Sequence, residues 1–180
     1  MTTEIDIPSL GSIEYISYLN ANGQLNEQFQ GKVGVYAIFD QEKVLQFVGY
    51  SRDVDLSLKQ HLVRQPQNCY WLKVQTIDRP SRTILESIRD AWIAENGSVS
   101  DRSATQEANW TQPIDAKLAM TAQEQASFAS TDELGQSKIL KNAARRIESQ
   151  ILSQLESRGV QIQIRFNPKL KEKGLLDLKQ

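Results

Sequence analysis

Two short apolar runs, at residues 33–39 and 44–50, constrain this sequence more than any other feature. Both runs are rich in β-branched and aromatic residues, and the polar segment 40–43 separates them. Two such runs joined by a few polar residues are typical of the strands of a β-hairpin. Because a two-stranded hairpin is barely stable in water, later elements of the chain must cover it.

The apolar period changes after the second run. Residues 54–62 carry apolar side chains at helical spacing, and Asp53 is placed to cap the start of that helix. Residues 70–77 predict a third strand. Pro80 then opens a second helix, which we expect to end at Asn96. The order β-β-α-β-α predicts an α+β domain with a three-stranded antiparallel sheet flanked by helices.

The rest of the chain predicts an arm before this domain and an extension after it. We expect residues 97–109 to form a loop, residues 136–158 a long amphipathic helix, and residues 160–166 a half-buried strand that joins or covers the main sheet. The predicted division is an N-terminal arm at 1–32, a domain at 33–110 and a helix-strand extension at 111–180.

The composition excludes several classes of protein. The formal net charge is −1, whereas a dedicated duplex-binding domain usually has a clear basic excess. Cys69 is the only cysteine and His61 the only histidine, so neither a disulfide within the chain nor a multi-histidine metal site can form. With no apolar run near the roughly 20 residues that span a bilayer, and no secretory signal, we expect a soluble, cytoplasmic protein with no membrane partner.

Two tripeptides in the hairpin resemble the motifs that give the GIY-YIG nuclease superfamily its name. They are Gly-Val-Tyr at 34–36 and, ten residues later, Phe-Val-Gly at 47–49. In that superfamily the motifs lie on the first two strands of a β-β-α-β-α core. The resemblance covers residues 33–109. Within the superfamily, the sequence is similar to the cyanobacterial type and to the N-terminal domain of plant plastid glutaredoxin fusions.

The resemblance implies a metal-dependent DNA endonuclease or nickase that hydrolyses phosphodiester bonds. It implies that Tyr36 acts as the base or orients the attacking water, that His61 handles a second proton, and that Glu86 holds one Mg²⁺ or Mn²⁺ ion. Asn109 matches the asparagine of the family. Such a metal offsets charge on the leaving oxygen, while a base removes a proton from water. Ser57 and His61 lie four residues apart, so they share one helical face.

Two departures from the family pattern weaken the implied catalytic set. Phe47 stands in place of the second tyrosine, and Ser57 stands in place of an arginine that would contact phosphate. Losing one preorganised group of this kind commonly costs about 10²–10³ in rate. Arg52 or Lys59 could contact the phosphate instead, and Tyr50 could replace the lost phenol.

A second interpretation is a non-catalytic GIY-YIG-fold binding or regulatory module. Tyr36 could be a packed strand residue, His61 a half-buried helix residue, and Glu86 the ion-pair partner of Arg82 or Arg89. The two departures and the low net charge favour the module. The retention of Tyr36, His61 and Glu86 favours the enzyme. The sequence leaves the oligomeric state open.

Overall fold

The chain forms two compact units, Met1–Trp110 and Thr111–Gln180. A computed structural model describes residues 7–96 and 104–179 of the 180-residue chain. The first unit is a mixed α+β fold built on a four-stranded antiparallel sheet, and the second is mainly helical with a two-stranded sheet.

The sheet of the first unit contains β1 (Ile16–Ser17), β2 (Val33–Phe39), β3 (Leu45–Ser51) and β4 (Trp71–Ile77). The strands lie in the order β1-β4-β2-β3, and every neighbouring pair is antiparallel. The hairpin predicted from the two apolar runs is present as β2 and β3. The prediction of three strands was one short, because the N-terminal arm supplies β1 along the edge of β4.

Helix α1 (Val54–Arg64) lies between β3 and β4, and α2 (Arg82–Asn96) and α3 (Ala104–Thr111) come after β4. Asp53 caps α1 as predicted, since its side chain accepts a hydrogen bond from the Leu56 amide at 3.2 Å. The expectation of a loop at 97–109 was wrong for residues 104–109, which belong to α3. The loop was predicted from the serine and asparagine content, but the alanine, glutamine and glutamate residues in this segment favour a helix. Residues 97–103 lie outside the described residues.

The two faces of the sheet carry different helices, because successive side chains of a strand point to opposite faces. The face toward α2 holds a buried apolar core of Val35, Ala37, Phe39, Leu45, Val48, Leu85, Ile88 and Trp92. Burying one large apolar side chain stabilises a fold by about 1.5–3 kcal/mol relative to exposing it. Trp92 also donates from Nε1 to the Pro8 carbonyl at 2.9 Å, which ties the N-terminal arm to α2.

The opposite face of the sheet is covered by α1. Tyr36 and Ile38 of β2 point toward this side, and Leu58 and Leu62 of α1 are fully buried. The Tyr18 hydroxyl donates to the Leu58 carbonyl, so the N-terminal arm is also bonded to α1. One sheet therefore has a helix on each face, and adjacent residues of one strand face different helices.

The second unit is built around one long helix. Its elements are β5 (Ile114–Asp115), α4 (Ala122–Ser130), α5 (Glu133–Ser157), α6 (Pro168–Lys171) and β6 (Leu175–Leu176). The predicted helix at 136–158 is α5, which starts slightly earlier because the Asp132 side chain accepts from the Gly135 amide at 2.9 Å. None of the helices in the described ranges is long and apolar enough to cross a membrane.

The strand predicted at 160–166 was wrong. Ile162, Ile164 and Phe166 are more buried than the residues between them, so the predicted alternation of burial is present. A strand also needs a hydrogen-bonded neighbour, however, and in the described residues this segment forms only an isolated bridge between Phe166 and Leu178. Phe166 therefore pairs within the second unit and does not add a strand to the four-stranded sheet.

Candidate functional site

Tyr36 and His61 meet between the sheet and α1. The Tyr36 hydroxyl lies 2.8 Å from Nε2 of His61, and the two residues are only 3% and 4% exposed. β2 directs Tyr36 toward α1, and the last turns of α1 bring His61 over it. The structure therefore brings two of the predicted site residues into direct contact, but in the interior of the unit.

Gly49 makes room for the Tyr36 ring. It pairs with Tyr36 across β2 and β3, and a Cβ atom here would lie 2.9 Å from the Tyr36 hydroxyl and 2.7 Å from the Phe47 ring. A side chain at this position would therefore collide with both rings. This close approach explains the glycine that ends the second tripeptide.

Trp110 covers the tyrosine-histidine pair. Its indole stacks on Phe47 with the ring centroids 5.4 Å apart and the planes within 3°. The Trp110 and Phe47 rings lie 5.7 Å and 4.8 Å from the His61 ring. Trp110 is 4% exposed. Aromatic pairs at such separations add roughly 0.5–1.5 kcal/mol beyond the burial of their surface. We call Tyr36, Phe47, His61 and Trp110 the aromatic box.

Two polar contacts from the end of α1 hold the end of α3. Nη1 of Arg64 donates to the Trp110 carbonyl at 2.8 Å, and Nε2 of Gln65 donates to the Asn109 carbonyl at 3.4 Å. Asn109 is exposed, and its backbone makes the contact. The sequence drew attention to Asn109 as a family match and missed its neighbour Trp110, whose large apolar ring was the available signal for a buried residue.

Burial fixes the protonation states inside the aromatic box. Burial and the nearby Arg64 cation lower the pKa of His61 to about 3, although the Trp110 backbone acts in the opposite direction. Burial raises the pKa of Tyr36 well above its usual value, and the Ser57 hydroxyl and Arg64 offset only part of that rise. At neutral pH the imidazole is uncharged and the phenol keeps its proton. A general base works best with a pKa near the working pH, and burial moves the pKa of both groups away from it.

One nitrogen of the buried imidazole is poorly satisfied. Nδ1 of His61 has no hydrogen bond of adequate distance and angle within the described residues, although the Trp110 backbone lies near enough to affect the pKa of the ring. A buried polar atom in this position typically costs about 1–3 kcal/mol. The closed aromatic box therefore carries a local energetic cost.

Ser57 contacts the aromatic box, but its side chain carries no positive charge. It lies four residues before His61 on α1, interacts with Tyr36, and donates from its hydroxyl to Oγ of Ser51 at 2.7 Å. A hydroxyl cannot replace the two parallel N–H groups that an arginine offers to phosphate. Ser57 therefore completes a small hydrogen-bonded cluster at the end of β3.

Glu86 lies on the other side of the sheet. Tyr50 pairs with Val35, so it faces α2, and its hydroxyl donates to Oε1 of Glu86 at 3.1 Å. Nε of Arg82 donates to the same oxygen at 2.7 Å. The hydrogen bonds from Arg82 and then Tyr50 lower the pKa of Glu86. The structure therefore joins Glu86 to Tyr50 and Arg82 and does not bring it to the Tyr36–His61 pair.

A cavity of about 270 Å³ opens beside Tyr50. Its lining residues are Tyr50, Ser51, Arg52, Pro80, Ser81, Arg82 and Leu85. Arg52 is exposed and makes no hydrogen bond or ion pair with any residue that the structure describes. Guanidinium groups beside hydroxyl groups are suited to binding phosphate or carboxylate. We call this the arginine cavity.

Most other basic residues of the first unit already have internal partners. Lys59, a predicted phosphate contact, pairs with Asp55 at 2.9 Å. Lys73 is only 5% exposed and donates from Nζ to the Leu10 carbonyl at 3.0 Å. Arg89 packs over the Tyr50 ring at 5.2 Å. The basic residues that the structure describes in the first unit therefore do not form one continuous basic surface.

The surroundings of Glu86 do not fit the divalent ion that the resemblance implies. Among residues 7–96 and 104–179, no three His, Cys, Asp or Glu side chains form a group that could hold a metal ion. Arg82 bonds Glu86 directly, and Arg89 also acts to lower its pKa. Mg²⁺ and Mn²⁺ prefer several oxygen ligands, whereas this carboxylate has two cations beside it.

The first unit is thus a mixed α+β domain with a buried tyrosine-histidine pair on one face of its sheet and an arginine cavity on the other. No family model matches the chain. Over 69 residues the chain is 36% identical to the bifunctional monothiol glutaredoxin-S16, chloroplastic, of Arabidopsis thaliana. The match covers 38% of this chain and 24% of the plant protein, so the similarity concerns one segment of each.

Proposed function

We propose that residues 33–110 form a GIY-YIG-type domain that acts as a non-catalytic binding module. The observation that carries this proposal is the burial of the Tyr36–His61 pair beneath Phe47 and Trp110. A base must come within about 2.6–3.2 Å of the proton that it removes, directly or through one water. In this closed arrangement a phosphodiester cannot approach the pair.

The separation of the remaining groups supports the same proposal. Tyr36 faces α1, whereas Tyr50 and Glu86 lie on the α2 side of the sheet. Hydrolysis requires the groups that activate water and the groups that stabilise phosphate to act on the same atoms. A domain with this division of its polar groups is better suited to binding than to cleavage.

The ligand that suits the arginine cavity best is a phosphate of DNA. Arg52 lines this cavity together with Ser51 and Ser81, and its guanidinium group has no partner among the residues that the structure describes. With a formal net charge of −1, the chain has little long-range attraction for DNA. The proposed contact is therefore local, weak and sensitive to salt.

Nicking of supercoiled plasmid DNA in Mg²⁺ or Mn²⁺ tests the absence of catalysis. We expect no metal-dependent nicking above a protein-free blank, and no difference between the wild-type chain and the Tyr36→Phe and Glu86→Ala variants. Metal-dependent nicking by the wild type that is lost in Tyr36→Phe would overturn the proposal.

DNA binding measured over a range of salt concentrations tests the ligand. We expect Arg52→Ala to weaken binding and to reduce the slope of log affinity against log salt by about 1, the change that one lost phosphate contact produces. Arg145→Ala, at an exposed position on α5, is the matched control and should leave that slope unchanged. Equal effects of the two variants would remove the arginine cavity as the contact.

A second candidate function is a slow metal-dependent nickase centred on Tyr50, which would require Arg82 to release Glu86 before a divalent ion could bind there. The observation that favours it is the contact between the Tyr50 hydroxyl and Glu86 beside the arginine cavity. Metal-dependent nicking that survives Tyr36→Phe but disappears in both Tyr50→Phe and Glu86→Ala would support this enzyme. Inductively coupled plasma analysis of the dialysed protein would show whether Mg²⁺ or Mn²⁺ remains bound.

A further inference from the structure

The end of α3 occupies the space from which a ligand would have to reach Tyr36 and His61. The Trp110 indole lies parallel to Phe47 and beside His61, and it is almost completely buried. The site beneath it is therefore filled by a side chain of the same unit. A ligand for the Tyr36–His61 pair would first have to displace Trp110.

The contacts that fasten this end of α3 are local. They include the stack on Phe47 and the two hydrogen bonds from Arg64 and Gln65 to the backbone of Trp110 and Asn109. α3 has eight residues, fewer than the ~12–15 at which an isolated helix becomes marginally stable. Without these contacts α3 has little stability of its own.

The core on the α2 side of the sheet does not depend on α3. Among the described residues, the core between α2 and the sheet contains no residue of α3. On the other face, Leu58 and Leu62 hold α1 against the sheet by their own burial. Proteins open in separate cooperative parts when one part shares few contacts with the rest.

Closing the aromatic box also leaves Nδ1 of His61 without an adequate hydrogen bond within the described residues. Water would reach this nitrogen if Trp110 moved away, so opening gives it a full hydrogen bond in place of the weak interaction with the Trp110 backbone. This gain offsets part of the apolar burial that is lost when the indole leaves the box.

We infer that the end of α3, with Asn109 and Trp110, is a detachable cap over the Tyr36–His61 pair. The cap is inferred from the contacts of Trp110 and Asn109 and from the short length of α3. Opening exposes Tyr36 and His61 while the sheet, α1 and α2 stay folded.

Chemical labelling of His61 in the wild-type chain tests the cap directly. Diethylpyrocarbonate modifies the neutral imidazole, and His61 is the only histidine of the chain, so the histidine signal reports this residue alone. The labelling rate should change little over low urea concentrations, because local opening exposes little surface. A rate that follows urea with the slope of global unfolding would overturn the inference.

The Trp110→Ala variant tests which side chain closes the box. We expect His61 to be labelled at least about tenfold faster, and its pKa, followed by NMR, to rise from about 3 toward the value of an exposed imidazole. Trp71→Ala, at a half-buried tryptophan of β4, is the control and should change neither quantity. Unchanged labelling in a folded Trp110→Ala variant would contradict the inference.

The Gln65→Ala variant keeps the test decisive if Trp110→Ala does not fold. It removes one anchor of the cap without removing a buried ring, so it should speed labelling while the tryptophan fluorescence of the folded unit is kept. Two results together would overturn the inference. They are a folded Gln65→Ala variant that is labelled at the wild-type rate, and wild-type labelling that occurs only through global unfolding. Plasmid nicking by the folded, unlabelled Trp110→Ala variant would instead overturn the non-catalytic function and leave the cap intact.

Discussion

The two faces of the four-stranded sheet differ in whether their polar side chains are buried or open to water. On the α1 face, Tyr36 and His61 are buried in the aromatic box and shielded from water. On the α2 face, Tyr50 and Glu86 lie beside the open arginine cavity, and the Arg82 side chain is mostly exposed. Residues that the sequence pattern assigned to one site therefore lie in two different environments, one buried and one open to water.

The two faces differ because successive side chains of a strand point to opposite sides of the sheet. Tyr36 pairs with Gly49, and its neighbour Val35 pairs with Tyr50, so the two tyrosines of the hairpin point in opposite directions. Tyr50, the suggested replacement for the phenol that is lost at Phe47, therefore lies on the α2 face. It can cooperate with Glu86, but it cannot replace a hydroxyl on the Tyr36 side.

Acid pH should produce the largest contrast between the faces. The folded pKa of His61 is about 3, below the value of about 6.5 for an unfolded chain, so its neutral form stabilises the fold. That contribution is complete above pH 6.5 and is lost as pH falls toward 3. Each pH unit in that window should lower the free energy of unfolding by about 1.4 kcal/mol, measured by urea unfolding.

A His61→Gln variant provides the comparison for this pH dependence. It has no imidazole to titrate, so its stability should fall less steeply than that of the wild type between pH 6 and pH 4 in the same urea measurement. Glu86→Gln, on the exposed face, should leave the wild-type slope almost unchanged. Equal slopes for the wild type and His61→Gln would show that the imidazole is accessible to water in the folded protein.

Gly49→Ala should be the most damaging small change to the α1 face. Its new Cβ would lie 2.7 Å from the Phe47 ring and 2.9 Å from the Tyr36 hydroxyl, and both rings are enclosed by their neighbours. Overpacking of this kind costs about 1–3 kcal/mol of unfolding free energy, measured by urea unfolding. Gly11→Ala is the control, because its nearest contact would be an ordinary 3.6 Å.

The sequence predicted the hairpin, α1, β4 and α2 because their signals are local. Apolar periodicity, the Asp53 cap and the position of Pro80 can be recognised from a few neighbouring residues. β1 has only two residues, and its place beside β4 depends on a distant pairing. The segment 160–166 had the right alternation but no partner strand, which periodicity cannot reveal.

The candidate site was harder to predict for the same reason. Four-residue spacing on α1 placed Ser57 and His61 on one face, and the structure brings both to Tyr36. Spacing gave no indication that Trp110 stacks on Phe47, because that contact joins residues 63 positions apart in the chain. Nor could it show that Arg82, four residues before Glu86, would take the carboxylate as its partner.

A matched pair of hydroxyl deletions compares the two faces at the level of one atom. Tyr36→Phe removes a buried hydrogen bond and leaves Nε2 of His61 without its partner, so we expect a loss of about 1–3 kcal/mol in unfolding free energy. Tyr50→Phe removes a hydrogen bond near solvent, so we expect under about 1 kcal/mol. A larger loss for Tyr50→Phe, measured by urea unfolding at neutral pH, would contradict the burial of the aromatic box.

The smallest expected effect is that of Arg82→Gln on the α2 face. The hydrogen bond from Arg82 is the largest cause of the lowered pKa of Glu86, so this variant should raise that pKa toward its ordinary value while Tyr50 keeps part of the lowering. Carboxyl NMR titration would measure the shift, and Arg89→Gln, which removes a weaker charge effect, should produce a smaller one. Because the pair is open to water, added salt should shrink the difference between Arg82→Gln and the wild type. If the pKa of Glu86 were the same in Arg82→Gln as in the wild type, Arg82 would not hold this carboxylate in solution. Glu86 could then bind another cation, and its ion pair with Arg82 would no longer distinguish the α2 face from the α1 face.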